Sequence, residues 1–235
     1  MKPVLVAMLL TACGRMGFDA GGTADAGGNL IDGPPHSDLL LHFTFDDGDL
    51  LTDRAQAPHH ASCASCPTAT AGIVGNGAAL FDSSQCLELL GSRELQPDVF
   101  TFSAWARATL PHASTVFGRA LDGSTTFDNT FEIWVDETPS WNVSVEGARV
   151  VGGGDSGVWH HYAGTYDGGQ LSAYRDGVRI ERNPAGITRY TADDLTIGCD
   201  LNLGALNQRF DGALDDIRLY DRVLSDPEIS LLAQP

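Results

Sequence analysis

Short segments in which apolar and polar residues alternate constrain the fold of this 235-residue chain more than any other feature. The clearest is residues 39–45, where Leu39, Leu41, Phe43 and Phe45 occupy every second position. Because successive side chains of a β-strand point to opposite faces, this spacing predicts a strand with one apolar face. The strand-like segments that follow are also short, so the sequence favours an all-β fold.

Further strands are predicted along the rest of the chain. They cover residues 78–81, 86–89, 99–106, 115–119, 131–135, 141–146, 158–166, 170–174, 178–181, 195–199 and 213–220. Asp-Gly turns such as Asp176-Gly177 separate several of them and favour tight hairpins. Near the end, Ser225, Pro227 and Glu228 form the capping-box signature of a helix start. We therefore predict a jelly-roll sandwich of two antiparallel sheets with a short C-terminal helix.

The first 37 residues carry no strand pattern. Lys2 precedes a short apolar run, too short to span a bilayer, which is typical of a signal peptide. Residues 10–13 (LTAC) resemble the lipobox of bacterial lipoproteins, which implies that residues 1–12 are removed and that Cys13 is lipidated; an ordinary signal peptide is the alternative. The Gly-, Ala- and Asp-rich residues 13–37 predict a flexible tether, and residues 38–235 the folded domain.

Acidic residues outnumber basic ones by 31 to 14, which gives a formal net charge of −17. Nucleic-acid binding needs clustered Lys and Arg, so this balance argues against it and against docking on an anionic membrane. The only membrane contact we expect is the lipid on Cys13. The predicted location is the bacterial cell envelope, with the domain facing the periplasm or the cell exterior.

Four cysteines remain beside Cys13, an even number that predicts two disulfides in an exported chain. Three pairings are open. We prefer Cys86–Cys199, because these residues begin and end two predicted strands whose ends would meet if the strands were antiparallel neighbours. That choice leaves Cys63–Cys66 as a local loop.

Several segments together resemble the laminin-G-like jelly roll of the concanavalin A-like lectin/glucanase superfamily. They are residues 43–48 (FTFDDG), 100–105 (FTFSAW), 157–168 (GVWHHYAGTYDG), 174–177 (YRDG) and 210–225 (FDGALDDIRLYDRVLS). The resemblance covers residues 38–233. It implies a concanavalin A-like arrangement in which the first and last strands are neighbours.

That arrangement implies a metal site. It would bring Asp46, Asp47 and Asp53 close to Asp215 and Asp216. Ca²⁺ prefers carboxylate and carbonyl oxygens, which acidic turns supply, so a structural Ca²⁺ is expected, with Asp46 and Asp215 as its first candidates. The alternative is that these aspartates only accept hydrogen bonds from backbone amides in turns.

One strand bears on catalysis and on ligand binding. Retaining glucanases of the superfamily place acids at every second position of a strand, but here the set is Glu132, Trp134 and Asp136, with an indole in the middle. The pattern therefore argues against an enzyme. Trp134 is out of phase with the apolar residues of its strand, so it is expected to face solvent or a groove and is the candidate ligand platform.

These features predict a non-catalytic, surface-anchored recognition module that binds a glycan or an envelope or extracellular protein. Two alternatives remain: an envelope structural or assembly protein without a small ligand, and a divergent glycoside hydrolase.

Overall fold

The strands of this protein are short and numerous, as the alternation predicts. The computed structural model describes residues 38–109, 112–121, 129–138, 140–153, 156–191, 194–202 and 204–235. Its strands are β1 (Leu39–Phe43), β2 (Thr68–Thr70), β3 (Ala78–Asp82), β4 (Leu87–Leu89), β5 (Phe100–Ala108), β6 (Ser114–Ala120), β7 (Asn129–Val135), β8 (Ser140–Val145), β9 (Ala148–Gly153), β10 (His160–Tyr166), β11 (Gln170–Arg175), β12 (Val178–Pro184), β13 (Leu195–Ile197), β14 (Asp200–Asn202), β15 (Ala205–Asn207) and β16 (Asp211–Tyr220). The helix α1 spans Asp226–Leu232. The predicted signal peptide (1–12), the tether (13–37) and Cys13 lie outside the described residues.

Two antiparallel sheets form the sandwich. The larger has eight strands in the order β12-β11-β10-β5-β16-β3-β2, with β1 also paired to β16. The smaller has six strands in the order β4-β13-β6-β7-β8-β9, and β14 and β15 form a separate two-stranded hairpin. This architecture confirms the predicted all-β, two-sheet antiparallel jelly roll.

The core lies between the inner faces of the two sheets. Phe100 and Phe102 of β5 meet Phe131 of β7, with ring centroids 5.3 and 4.9 Å apart respectively. Because strand side chains alternate, the residues between these aromatic side chains point outward, away from the core. The outward-facing residues of each sheet therefore do not form part of the core and are available for other contacts.

The helix α1 covers the outer face of the larger sheet. Its buried Ile229 and Leu232 pack against Tyr174 and Tyr220, and Trp105 donates a hydrogen bond from Nε1 to the Leu232 carbonyl at 3.2 Å. The predicted capping box is present at Ser225 and Glu228. Among the described residues, no helix is long and apolar enough to cross a membrane.

Two sequence expectations need correction at the level of single elements. The first strand was expected to run to residue 45, but it ends at Phe43, and Phe45 takes a left-handed conformation (φ 57°) while staying buried. The alternation therefore reports burial here, not strand conformation. In addition, β2, β9, β14 and β15 have no counterpart among the predicted strands; three of them are only three residues long, too short for a period to be read.

The two disulfides join the expected pairs, Cys63–Cys66 and Cys86–Cys199. β4 and β13 are antiparallel neighbours, as the preferred pairing required. Cys86 precedes β4 and Cys199 follows β13, and their Cα atoms are 5.4 Å apart. This bridge therefore ties one edge of the smaller sheet to the strand beside it.

Candidate functional site

A pocket of about 200 Å³ opens on the outer face of the smaller sheet, and we call it the Trp134 pocket. It is lined by Asn129, Glu132, Trp134, Ser144, Gly147, Arg149, Asp200 and Gln208. The predicted ligand platform thus lies in a pocket. The residues come from β7, β8, β9 and β14, with Gly147 in the turn between β8 and β9 and Gln208 just after β15, so the site depends on the folded sheet.

Strand register places the floor of the pocket. Phe131, Ile133 and Val135 of β7 are buried in the core, so Glu132 and Trp134 occupy the opposite face of the same strand. Glu132 pairs with Gly118 of β6 and Ser144 of β8. A Cβ on Gly118 would stand 3.2 Å from the Glu132 Cγ, so the missing side chain leaves room for Glu132 to lie across β6.

A pair of buried carboxyl groups forms the polar end of the pocket. Glu132 and Asp200 are 6% and 3% exposed. Thr115 donates its hydroxyl to Glu132 Oε1 at 2.5 Å, and Asn129 donates Nδ2 to Asp200 Oδ1 at 3.2 Å. Within the described residues, no arginine forms an ion pair with either carboxyl group.

Burial disfavours a negative charge on either carboxyl group. Burial, together with the negative charge of Asp200, raises the pKa of Glu132 to about 7. Burial also raises the pKa of Asp200. Two like charges in one buried site disfavour each other, so burial and charge repulsion both oppose full ionisation of the pair.

Trp134 forms the apolar wall. It is half-buried, and the guanidinium of the exposed Arg149 lies 5.6 Å from its ring centroid. An aromatic ring beside hydrogen-bonding groups is the usual composition of a site for a small polar ligand.

Two buried polar atoms on the same sheet face have no partner among the described residues. Asn142 lies opposite Trp134 in register and Thr196 lies opposite Gly118. Neither the Asn142 Oδ1 nor the Thr196 Oγ1 makes a hydrogen bond, although both residues are almost fully buried. Unpaired buried polar groups are costly, so this face carries more hydrogen-bonding capacity than the fold uses.

The strand pattern considered for hydrolysis does not converge on this pocket. Asp136 Oδ1 accepts hydrogen bonds from the backbone amides of Thr138 and Ser140, which is a turn contact. Asp200 is the carboxyl group that stands beside Glu132. Asp200, Asn129, Arg149 and Gln208 were not predicted as site residues, because no local spacing links them to Trp134.

The first candidates for the expected metal site are Asp46 and Asp215. Asp46 and Asp215 contact the same loop, residues 71–77: Asp46 Oδ1 accepts from the amides of Asn76 (2.6 Å) and Gly77 (3.0 Å), and Asp215 Oδ2 from those of Ile73 (2.8 Å) and Val74 (3.0 Å). A Cβ on Gly72 would stand 2.2 Å from the Gly77 carbonyl oxygen and 2.7 Å from Asp215 Oδ2, so these two oxygens lie close together.

Asp215 is also incompletely satisfied. Its Oδ1 is buried without a partner among the described residues, and burial raises the pKa of its carboxyl group to about 7. A cation beside this oxygen would supply what the fold does not, so the residues fit a divalent ion. No cluster of three or more His, Cys, Asp or Glu side chains suited to a metal occurs in the described part of the chain. Any ion here would thus take most of its ligands from backbone carbonyls and water.

The hydrogen-bond partners of the other three acids are also resolved. Asp53 accepts from the backbone amides of His42, Ala55 and His59. Asp47 Oδ1 accepts from the side chain of Asn76. Asp216 pairs with His42 at 2.8 Å and with Arg218 at 2.9 Å. The hydrogen bonds of Asp53 are those of the turn-capping alternative.

Comparison with solved structures identifies the fold. Domain 4 of AbnA, a GH43 extracellular arabinanase from Geobacillus stearothermophilus, solved with arabinotriose, superposes with a TM-score of 0.65 at 18% identity over 85% of this chain and 100% of that chain. The binding domain of Paraclostridial Mosquitocidal Protein 1 gives 0.65 at 12% identity over 83% of this chain and 52% of that one. The binding domain of botulinum neurotoxin DC, solved with rat synaptotagmin II, gives 0.61 at 13% identity over 84% and 51%. The chain therefore spans about half the length of these toxin domains.

Sequence comparison gives the family. No curated protein matches the chain significantly. The family model Laminin_G_3, described as the concanavalin A-like lectin/glucanases superfamily, matches residues 82–230, which is more than half of the chain and includes every residue of the Trp134 pocket. The chain therefore belongs to the Laminin_G_3 family of the concanavalin A-like lectin/glucanases superfamily.

Proposed function

We propose that this domain is a non-catalytic recognition module that binds a saccharide in the Trp134 pocket. The observation that carries the proposal is a tryptophan beside buried polar groups that lack partners, all on one sheet face. Drug-sized ligands occupy pockets of roughly 300–1,000 Å³. A pocket of about 200 Å³ suits a smaller unit, such as one residue of a sugar chain. Sugars present an apolar ring face for the indole and hydroxyl groups for the surrounding amides and carboxyl groups.

The likeness to domain 4 of the arabinanase supports a saccharide over a protein partner, because that domain was solved with arabinotriose and is matched over its full length. The neurotoxin domain solved with synaptotagmin II keeps a protein partner as the alternative. An envelope structural protein without a small ligand is the other alternative, and it predicts that the pocket binds nothing.

A polysaccharide panel that includes arabinan tests the proposal, with Trp134→Ala as the disabling variant. Trp159→Ala is the matched control, because Trp159 is also half-buried and also carries an arginine, Arg107, 5.0 Å from its ring centroid, but lies outside the pocket. We expect the first variant to weaken binding at least about tenfold and the second to leave it unchanged. Failure of the wild-type domain to bind any saccharide, or equal binding by Trp134→Ala, would overturn the proposal.

Glycoside hydrolysis is a second candidate, because Glu132 and Asp200 place two carboxyl groups with raised pKa values in one pocket. Such a pair can divide the roles of acid and base. Release of reducing ends from the same panel, lost in Glu132→Gln, would establish hydrolysis. Binding without product release would leave recognition as the function.

We also propose that a structural Ca²⁺ is held by the carboxylates of Asp46 and Asp215 together with carbonyl oxygens of the neighbouring turns. The unpaired Asp215 Oδ1 and the nearby Gly77 carbonyl support this set. The ion would neutralise Asp215 and brace the loop at residues 71–77; it would have no part in ligand contact at the Trp134 pocket.

The cellular setting is proposed from the sequence alone. Cleavage before Cys13 and its lipidation would anchor the domain to the bacterial cell envelope. Incorporation of labelled palmitate in a bacterial host, abolished by Cys13→Ser, is the expected result. Labelling that persists in this variant, or no labelling of the wild-type chain, would contradict the anchor.

A further inference from the structure

The charges of the Trp134 pocket are unbalanced at its buried end. Glu132 and Asp200 are both almost fully buried, and their hydrogen-bond partners, Thr115 and Asn129, are uncharged. The arginine that lines the pocket, Arg149, is exposed and lies over the Trp134 ring. A buried carboxylate pair without a cation either binds a proton or accepts a positively charged group from outside.

The same face offers further unused hydrogen-bonding groups. Gly118 separates Glu132 from Thr196 across the sheet, and the Thr196 hydroxyl is buried without a partner among the described residues. On the other side, the unpaired Asn142 Oδ1 stands next to Trp134. When they are ionised, Glu132 and Asp200 can only accept hydrogen bonds, so the buried end of the pocket is matched to a ligand group that donates them.

An ammonium group is the donor that meets both requirements, because it carries a positive charge and three N–H bonds. Resting on the proposed saccharide binding, we propose that the Trp134 pocket selects amino sugars: the sugar ring stacks on Trp134 and its protonated amine binds between Glu132 and Asp200. A neutral sugar would bring no positive charge to offset the buried carboxyl pair. An acidic sugar would bring a third negative charge to it.

Glucosamine oligomers, N-acetylglucosamine oligomers of the same length and oligogalacturonate provide a charge series from cationic through neutral to anionic. Isothermal titration near neutral pH and low salt should rank them in that order, with roughly tenfold or more between the amine and its acetylated counterpart. Added salt should narrow the gap, because screening weakens charge pairing.

Glu132→Gln and Asp200→Asn should each weaken binding of the amine more than binding of the N-acetylated oligomer, and so remove the preference for the amine. Glu88→Gln is the matched control, because Glu88 lies on the same sheet face beyond Thr196 but does not line the pocket. Thermal melts should be used to check that each variant is folded. If one carboxyl variant does not fold, the other still tests the proposal.

The outcomes separate the two proposals. Equal or tighter binding of the neutral oligomer, or an unchanged preference in both carboxyl variants, overturns the amino-sugar selection but leaves saccharide recognition intact. Absence of binding for every member of the series and of the polysaccharide panel overturns the proposed function itself. A preference for the amine that both variants abolish supports both.

Discussion

The outer faces of the two sheets treat buried charge in opposite ways. On the outer face of the larger sheet, Asp216 is paired with His42 and Arg218. On the outer face of the smaller sheet, Glu132 and Asp200 line one pocket, and neither forms an ion pair with a described residue. Both faces bury carboxyl groups, so burial alone does not distinguish a structural site from a binding site.

The difference lies in the charged partners of each carboxyl group. Burial alone would raise the pKa of Asp216, but Arg218 and His42 lower it to about 2, so the folded protein stabilises the ionised form of Asp216. The pKa of Glu132 is raised to about 7, so its charge is opposed by the fold. A bound ligand of opposite charge can stabilise a buried carboxylate that the fold itself destabilises. Carboxyl groups with shifted pKa values in pockets are therefore candidates for functional sites.

Removing the charge of Asp216 should have the largest effect. Asp216→Asn keeps a residue that tolerates the left-handed backbone at this position (φ 46°) but leaves Arg218 buried without its partner. We expect the free energy of unfolding to fall by about 3–5 kcal/mol, measured by urea denaturation. A loss below about 1 kcal/mol would mean that the stability of the domain does not depend on this ion pair.

Calcium should act on the neighbouring aspartate. At a hundredfold excess over its dissociation constant, a bound ion adds about 2.7 kcal/mol, a rise in melting temperature of roughly 5–10 °C for a domain of this size. Asp215→Asn should abolish the rise, whereas Asp211→Asn, at the start of the same strand, should not. Equal melting temperatures with EGTA and with Ca²⁺ would contradict the proposed structural Ca²⁺.

Removing the charge of Glu132 should change the free energy of unfolding in the opposite direction to Asp216→Asn. Because the pKa of Glu132 is higher in the folded state, its contribution favours folding below about pH 4.5 and is lost as pH rises through about 7. Glu132→Gln should therefore be more stable than the wild type at pH 8, by roughly 1–3 kcal/mol, and similar to it at pH 4. Urea denaturation at the two pH values provides the measurement. A variant destabilised at pH 8 would show that the fold uses this carboxylate.

The smallest expected effect concerns His161, a side chain of the larger sheet whose ring makes no hydrogen bond with a described residue. Its ring nitrogens are buried without partners among the described residues, beside Trp105 (ring centroids 5.5 Å apart), and burial lowers its pKa to about 4. His161→Phe should raise stability by about 1 kcal/mol. The adjacent His160→Phe should lower it, because His160 bonds to Asp176 and Arg175. Destabilisation by His161→Phe would indicate a hydrogen bond that this face requires.

Features carried by neighbouring residues were predictable from the sequence. The alternation at residues 39–45, the capping box at Ser225 and the out-of-phase position of Trp134 are all local patterns, and the Cys86–Cys199 pair followed from the ends of two strands. The family resemblance also placed the first and last strands side by side, and β1 does pair with β16.

The pairing of Glu132 with Asp200 was not predictable in this way. It depends on β13 lying next to β6, which positions the following β14 over the smaller sheet. No sequence period encodes such a contact. Likewise, Asp215 and Asp216 are adjacent in sequence but serve different sites, because the strand pairing shifts between Asp215 and Arg218 and Asp216 adopts a left-handed conformation.

The pairing of β1 with β16 has a consequence for how the chain acquires its fold. Leu39 pairs with Tyr220, and Asp38 forms an ion pair with Arg222 at 2.8 Å, so the first strand is held by the last. Closing that contact requires almost the whole domain to have left the ribosome, which gives slow folding and a long-lived unfolded chain. Nascent chains that stop before β16 would leave Leu41 and Phe43 without their partner strand and accessible to chaperones until synthesis ends.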